Sequence, residues 1–147
     1  MTAKTRRNNR PRSSAGNIVR VVAALIVRDH QVLACQRTRH QTLPLRWEFP
    51  GGKIEAGEQP RHALRRELQE ELGIAAKIGD EVARVHHQYK DGKRVELRFY
   101  RVSEFHGELE NRIFRDVRWI PRRNLAEYDF LEADLDLVKQ IAAGKVL

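Results

Sequence analysis

Glu67, Glu70 and Glu71, three carboxylates within five residues, are the strongest chemical signal in the chain. They lie in the stretch at 52–74, GKIEAGEQPRHALRRELQEELGI, which follows Phe49-Pro50-Gly51. Pro50, Gly51 and Gly52 punctuate a loop, and Pro60 suits the first position of a helix, where its missing N–H costs nothing. A helix is predicted over 60–72, with Gly73 as its stop. Leu64, Leu68 and Leu72 then stack four residues apart as one apolar stripe that faces a core. Beside the stripe, the three glutamates share roughly a third of the helix circumference. Like charges four residues apart, such as Glu67 and Glu71, destabilise an isolated helix by about 0.2–0.5 kcal/mol, so the strip asks for a counter-charge. A divalent cation supplies one. Carboxylate oxygens, with a carbonyl from Gly51, suit a hard ion such as Mg²⁺, or Mn²⁺ as its substitute, which also takes phosphate oxygens. The competing reading is a solvated acidic face paired with Arg65, Arg66 and Lys53.

Spacing decides between these readings. The segment resembles the Nudix box of the Nudix hydrolases: glycine, five residues, glutamate, seven residues, then Arg-Glu-apolar-any-Glu-Glu-any-Gly-apolar. Gly52, Glu58, Arg66, Glu67, Leu68, Glu70, Glu71, Gly73 and Ile74 fill every defined position. The resemblance implies an α/β (α+β) fold of the Nudix type, an α-β-α sandwich with a central mixed β-sheet. It implies Mg²⁺-dependent hydrolysis of a nucleoside diphosphate linked to another group. Gly51, Glu67, Glu70 and Glu71 would hold the metal, and Glu67 or Glu70 would hold or deprotonate water. Arg66 would buttress the carboxylates, while Lys53 would stabilise charge on the phosphates.

Further residues resemble the MutT-like branch. Arg37 stands fourteen residues before Gly51, where those enzymes place an arginine that contacts the nucleotide, and its competing role is a strand-end charge. Trp47 to Lys53 is close to the MutT-like loop, with Trp47 and Phe49 read as core or lining. Phe130, Ala133 and Asp134 match the segment that holds the base in such relatives, with Asp134 in the base-contacting place. Asp134 also sits where a helix N-cap belongs, worth about 1 kcal/mol. A tyrosine near the place of Tyr89 recurs in diadenosine polyphosphate hydrolases. One departure stands out: the place of an extra metal-binding glutamate is Ile113, with Glu108, Glu110 and Asp116 as possible substitutes.

These matches imply cleavage of a (deoxy)nucleoside triphosphate to the monophosphate and pyrophosphate. The leading expectation is nucleotide-pool sanitation of the 8-oxo-dGTP diphosphatase kind, a DNA-repair role. Alternatives are (d)CTP or diadenosine polyphosphate hydrolysis, RNA 5′-end pyrophosphohydrolysis, and a non-catalytic nucleotide-sensing module.

The elements that must position these residues follow from the remaining pattern. Residues 21–27 form a nearly unbroken aliphatic run, read as a strand buried on both faces, and Asp29-His30 turns it into a second strand over 32–35. Strands are also predicted over 82–89 and 95–99, joined by a turn at Lys90-Asp91-Gly92-Lys93, and over 117–120. A last helix is predicted over 134–143, with Leu135, Val138 and Ile141 inward and Gly144 as the stop. His86 and His87 read as structural strand residues. Cys35, the only cysteine, reads as a core filler; it permits no intrachain disulfide and fits a reducing, cytoplasmic setting.

The 147 residues fit one domain over 18–147, and no apolar run reaches membrane-span length. Five of the net +8 charges, Lys4, Arg6, Arg7, Arg10 and Arg12, crowd into residues 1–17 without an acid. That arm is predicted to be a disordered basic tail, either simply solvated or weakly attracted to polyphosphate or nucleic acid. Oligomeric state leaves no trace in the sequence.

Overall fold

A computed structural model describes residues 17–147. All but the last residue of the basic arm at 1–17 therefore lies outside the described residues. Strand β1 (Ile18–Arg28) is the spine of the molecule. It turns back through Asp29 and His30, both left-handed at φ 53° and 64°, into β2 (Gln31–Gln36). Two short strands follow, β3 (Trp47–Glu48) and β4 (Gly51–Lys53). The central strands continue with β6 (Glu81–Gln88), β7 (Arg94–Val102) and β9 (Asp116–Pro121). The seven pair in the order β3-β2-β1-β7-β6, with β4 added to β1 and β9 added to β2. β1 and β7 run parallel from Ile18 opposite Arg94 to Ile26 opposite Val102, whereas the other ladders are antiparallel, so the sheet is mixed. A separate ribbon joins β5 (Ala75–Lys77) to β8 (Glu104–His106).

Side-chain alternation along β1 divides the core between the two faces of the sheet. Val22, Ala24 and Ile26 join Leu64, Leu68 and Leu72 of helix α1 (Pro60–Leu72) on one face. Ala23 and Leu25 join Leu137, Val138 and Ile141 of helix α2 (Leu135–Ala142) on the other. The expected sandwich and the double-sided burial of β1 are both present. Cys35 is fully buried in the first core; burial, and then the charges of Glu48, Glu71 and Asp116, hold its thiol well above the ordinary value. That environment makes a filler rather than a nucleophile.

Helix α1 has the predicted bounds, with Pro60 in its first turn and Gly73 left-handed at φ 70°. The last helix is corrected in phase: Leu135 is 42% exposed and Leu137 only 3%. The two leucines sit about 200° apart around the helix, so only one can face the sheet. Leu137 does so, because Ile141 stacks four residues beyond it. A 3-10 turn, Glu132–Asp134, precedes the helix, and Asp134 makes no side-chain cap hydrogen bond. No helix among the described residues is long and apolar enough to cross a membrane.

Candidate active site

Two glycines set the distance between sheet and helix. A Cβ on Gly51 would run into the backbone of Val22, against which β4 pairs. A Cβ on Gly52 would run into the carboxylate of Glu67. With neither present, β4 presses directly against the acidic strip of α1.

Arg66 organises that strip. Its Nε and Nη2 donate to Glu58 Oε2 and Oε1 at 2.8 and 2.9 Å, a two-pronged pair. Nη1 donates to Glu67 Oε2 at 3.1 Å and, more weakly, to Glu70 Oε1 at 3.5 Å, while Nη2 also reaches the Lys53 carbonyl at 3.2 Å. The Arg66 hydrogen bonds hold the Glu58 carboxyl down to about 2. Glu55 N–H donates to Glu58 Oε1 at 3.0 Å, so the same carboxylate closes the loop ahead of the helix.

The glutamates occupy distinct environments. Glu71 is buried and its Oε1 has no hydrogen-bond partner. Burial, then its hydrogen bond to Glu67 and the Glu67 and Glu48 charges, push its carboxyl well above the ordinary range, against a pull from the Gly51 backbone. Glu67 is mostly covered, whereas the Glu70 side chain is 59% exposed. Among the described residues, no three His, Cys, Asp or Glu side chains already converge as a metal-binding cluster. What converges is the close Glu67–Glu71 pair, with a buried oxygen lacking a partner and Glu70 at its edge. Two carboxylates held this close repel each other, and a hard divalent cation between them would relieve that repulsion. The donor set therefore fits such an ion.

Glu71, Gly51, Gly52 and Lys53 open onto a cleft of about 280 Å³ that Arg37, Glu48, Tyr89, Ile113, Leu131 and Asp134 also line. Arg37 is pinned there by Glu48 at 3.0 Å and by the carbonyl and hydroxyl of Thr42 at 2.8 and 3.1 Å. Burial pushes the Glu48 carboxyl up against the downward pull of Arg37. Asp134 is 2% exposed and its Oδ1 has no partner.

The structure thus gathers Gly51, Lys53, Glu71, Arg37 and Asp134 around one cleft. Glu67 stands behind Gly52, and Arg66 and Glu70 lie farther along the helix. Phe130 does not reach the cleft: it is fully buried against Phe49, ring centroids 5.1 Å apart, and its neighbour Leu131 lines the wall instead. Ile113 does line the cleft, whereas Glu108, Glu110 and Asp116 do not; Glu110 and Asp116 pair with Arg112 and Arg118. Glu48 was missed by sequence reasoning. Its signal was faint, since a carboxylate between Trp47 and Phe49 looks like the polar member of an alternating strand.

The NUDIX domain family model matches residues 17–141. The chain belongs to the Nudix family. It is similar to the CTP pyrophosphohydrolase of Escherichia coli, 37% identical over 126 residues that cover 86% of this chain and 93% of the relative. It is similar also to the 8-oxo-dGTP diphosphatase of Haemophilus influenzae, 36% identical over 82% of this chain and 89% of the relative. Its fold overlays the crystal structure of a MutT NUDIX hydrolase from Burkholderia pseudomallei with a TM-score of 0.77, at 26% identity, covering 84% of this chain and 98% of that one. This Nudix protein is a hydrolase of phosphorus-containing acid anhydrides. Nudix hydrolases generally use divalent metal ions, and the Glu67–Glu71 pair is where the donor chemistry of this one fits such an ion.

Proposed function

We propose that this Nudix hydrolase cleaves (deoxy)nucleoside triphosphates to the monophosphate and pyrophosphate, with 8-oxo-dGTP as its leading substrate. The observation that carries this reading is the single cleft lined both by the glycine and glutamate positions of the box and by a buried, unpartnered Asp134. A phosphate chain beside Gly51, Gly52 and Lys53 leaves the base to the remainder of the cleft. Lys53 brings a cation to the phosphates, and Arg37, fixed by Glu48 and Thr42, holds its position without reordering when substrate arrives.

Glu67, Glu70 and Glu71 would hold Mg²⁺. When bound, that ion neutralises phosphate oxygens and lowers the pKa of water. Arg66 keeps Glu67 directed at β4, and Glu58 keeps Arg66 in place. Glu67 or Glu70 accepts a proton from the attacking water; the P–O bond that breaks releases pyrophosphate from the nucleoside monophosphate.

Cytidine triphosphates are the second reading, favoured by the similarity to a CTP pyrophosphohydrolase and by the carboxyl of Asp134. Incubation with Mg²⁺ and 8-oxo-dGTP, CTP, dCTP or diadenosine polyphosphates, with products separated by chromatography, tests both readings. Monophosphate and pyrophosphate are expected from 8-oxo-dGTP. Release of orthophosphate from every substrate, or inertness towards all of them, would overturn the proposal.

A further inference from the structure

The last turn of α1 carries Glu70 and Glu71, and a helix end leaves four carbonyls without partners further along the helix. A single surface segment meets three of them. Arg112 Nη1 donates to the Gln69 carbonyl at 3.1 Å, the Arg112 backbone N–H to that of Glu71 at 3.1 Å, and the Glu110 N–H to that of Leu72 at 2.9 Å. Gly73 makes the room: a Cβ there would lie 2.9 Å from Arg112 Nη2. Glu110 Oε1, which accepts from Arg112 Nε at 2.9 Å, keeps the guanidinium turned towards the helix. The same segment then enters the cleft. Asn111 Nδ2 donates to the Phe114 carbonyl at 2.8 Å, and the Phe114 N–H donates back to Asn111 Oδ1 at 2.8 Å, so one side-chain amide closes the turn. Phe114 is buried in the core that holds Leu68 and Leu72, and the Arg115 N–H donates to the Gln36 carbonyl at the end of β2, at 2.9 Å. Between these anchors, Ile113 lines the cleft at 48% exposure, the most exposed large apolar side chain among the described residues.

We propose that Asn111 and Arg112 are positioning residues with separate duties: Arg112 fixes the helix turn that carries Glu70 and Glu71, and Asn111 fixes Ile113 as an apolar wall that the substrate covers. The inference rests on the cleft being the hydrolytic site. Neither Asn111 nor Arg112 lines that cleft, so each acts only through another residue. Arg112 gives the helix end a charged donor where a free end would fray, which holds the two glutamates at a fixed depth beside Gly51 and Gly52. Asn111 acts on the opposite wall. An isoleucine held open by a closed turn has its apolar surface in water until something covers it, and that covering favours the bound state.

The two duties separate in experiments on the full-length protein. Arg112→Ala keeps the backbone hydrogen bond to Glu71 and loses only the guanidinium. Without metal it is expected to speed hydrogen exchange at the amides of residues 70–73 roughly tenfold, and on titration with Mn²⁺, read by electron paramagnetic resonance, to bind that ion roughly tenfold more weakly. Asn111→Ala is expected to raise KM several-fold, for 8-oxo-dGTP or for CTP if only that is cleaved, with kcat and Mn²⁺ affinity unchanged. Ile113→Ala should do the same, and the double variant should be no worse than either single one, because Asn111 acts through Ile113. Arg112→Lys and Asn111→Asp each keep one of the lost hydrogen bonds, are expected to recover part of the losses, and decide the matter if an alanine variant fails to fold. Natural exchange and natural Mn²⁺ affinity in Arg112→Ala would overturn the inference for Arg112. Additive effects of Asn111→Ala and Ile113→Ala on KM would overturn it for Asn111. Inertness of the natural protein towards both nucleotides would remove the substrate reading and the duty of Asn111 with it, whereas exchange and Mn²⁺ binding would still decide the duty of Arg112.

Discussion

Gly52 shows how a residue with no side chain controls one with a charge. The space its Cβ would occupy belongs to the Glu67 carboxylate, so Gly52→Ala must displace either β4 or the carboxylate. The carboxylate is the softer of the two, and misplaced ligands commonly cost roughly 10–100-fold in metal affinity or activity. Gly52→Ala is therefore expected to lose Mn²⁺ affinity, followed by electron paramagnetic resonance, with the thermal midpoint little changed. Unaltered affinity would mean that Glu67 does not serve a metal. Glu67→Gln and Glu70→Gln remove charge without volume, and each is expected to lower kcat by roughly 10² or more. The two should differ in structure: Glu67 is hydrogen-bonded to Arg66 and Glu71, whereas Glu70 makes one long contact. Only Glu67→Gln should therefore also disturb the amide spectrum of α1.

At the scale of elements, Glu58 ties the loop after β4 to the middle of α1 through Arg66. Its carboxyl is held at about 2, below its ordinary 4.5, so the tie contributes fully above about pH 4.5 and is lost as pH falls through about 2. Glu58→Gln lacks that dependence. The difference in thermal midpoint between natural protein and variant should be constant from neutral pH down to about 4.5 and shrink towards pH 2. Activity of the variant at neutral pH should drop roughly 10–100-fold through the loosened Arg66; a variant as active as the natural protein would show that Arg66 needs no support. A second tie lies beside Asp134. His87 stacks edge-on against Tyr89 with centroids 4.6 Å apart and meets Glu132 at 3.3 Å, joining β6 to the segment that carries Asp134. Glu132→Ala should raise KM several-fold with kcat unchanged, as expected when only binding is loosened; a fall in kcat alone would place the pair elsewhere in the mechanism.

Across the whole molecule, what was legible in the sequence was what local chemistry determines. Helix α1 announced itself through Pro60, a leucine stripe and Gly73, and the box through its spacing, whereas β3, β4 and β8 run only two or three residues and exist because distant strands receive them. Nor could local pattern show that Glu48 would share a cleft with Asp134, since β2 brings Trp47-Glu48 into place by pairing. Charge is the molecule-wide property that remains to be tested. Residues 1–17 carry +5 and the rest of the chain +3. The proposed mononucleotide substrate would need little of that arm, whereas a polynucleotide would release about one counterion for each phosphate neutralised, giving a steep salt slope. If free nucleotides are the substrates, raising salt from about 50 to 200 mM should change kcat/KM only modestly, and deleting residues 1–17 should not alter that slope. With a 5′-triphosphorylated RNA, a slope that is steep for the full chain and shallow for the truncated one would assign the arm to RNA and displace the mononucleotide reading.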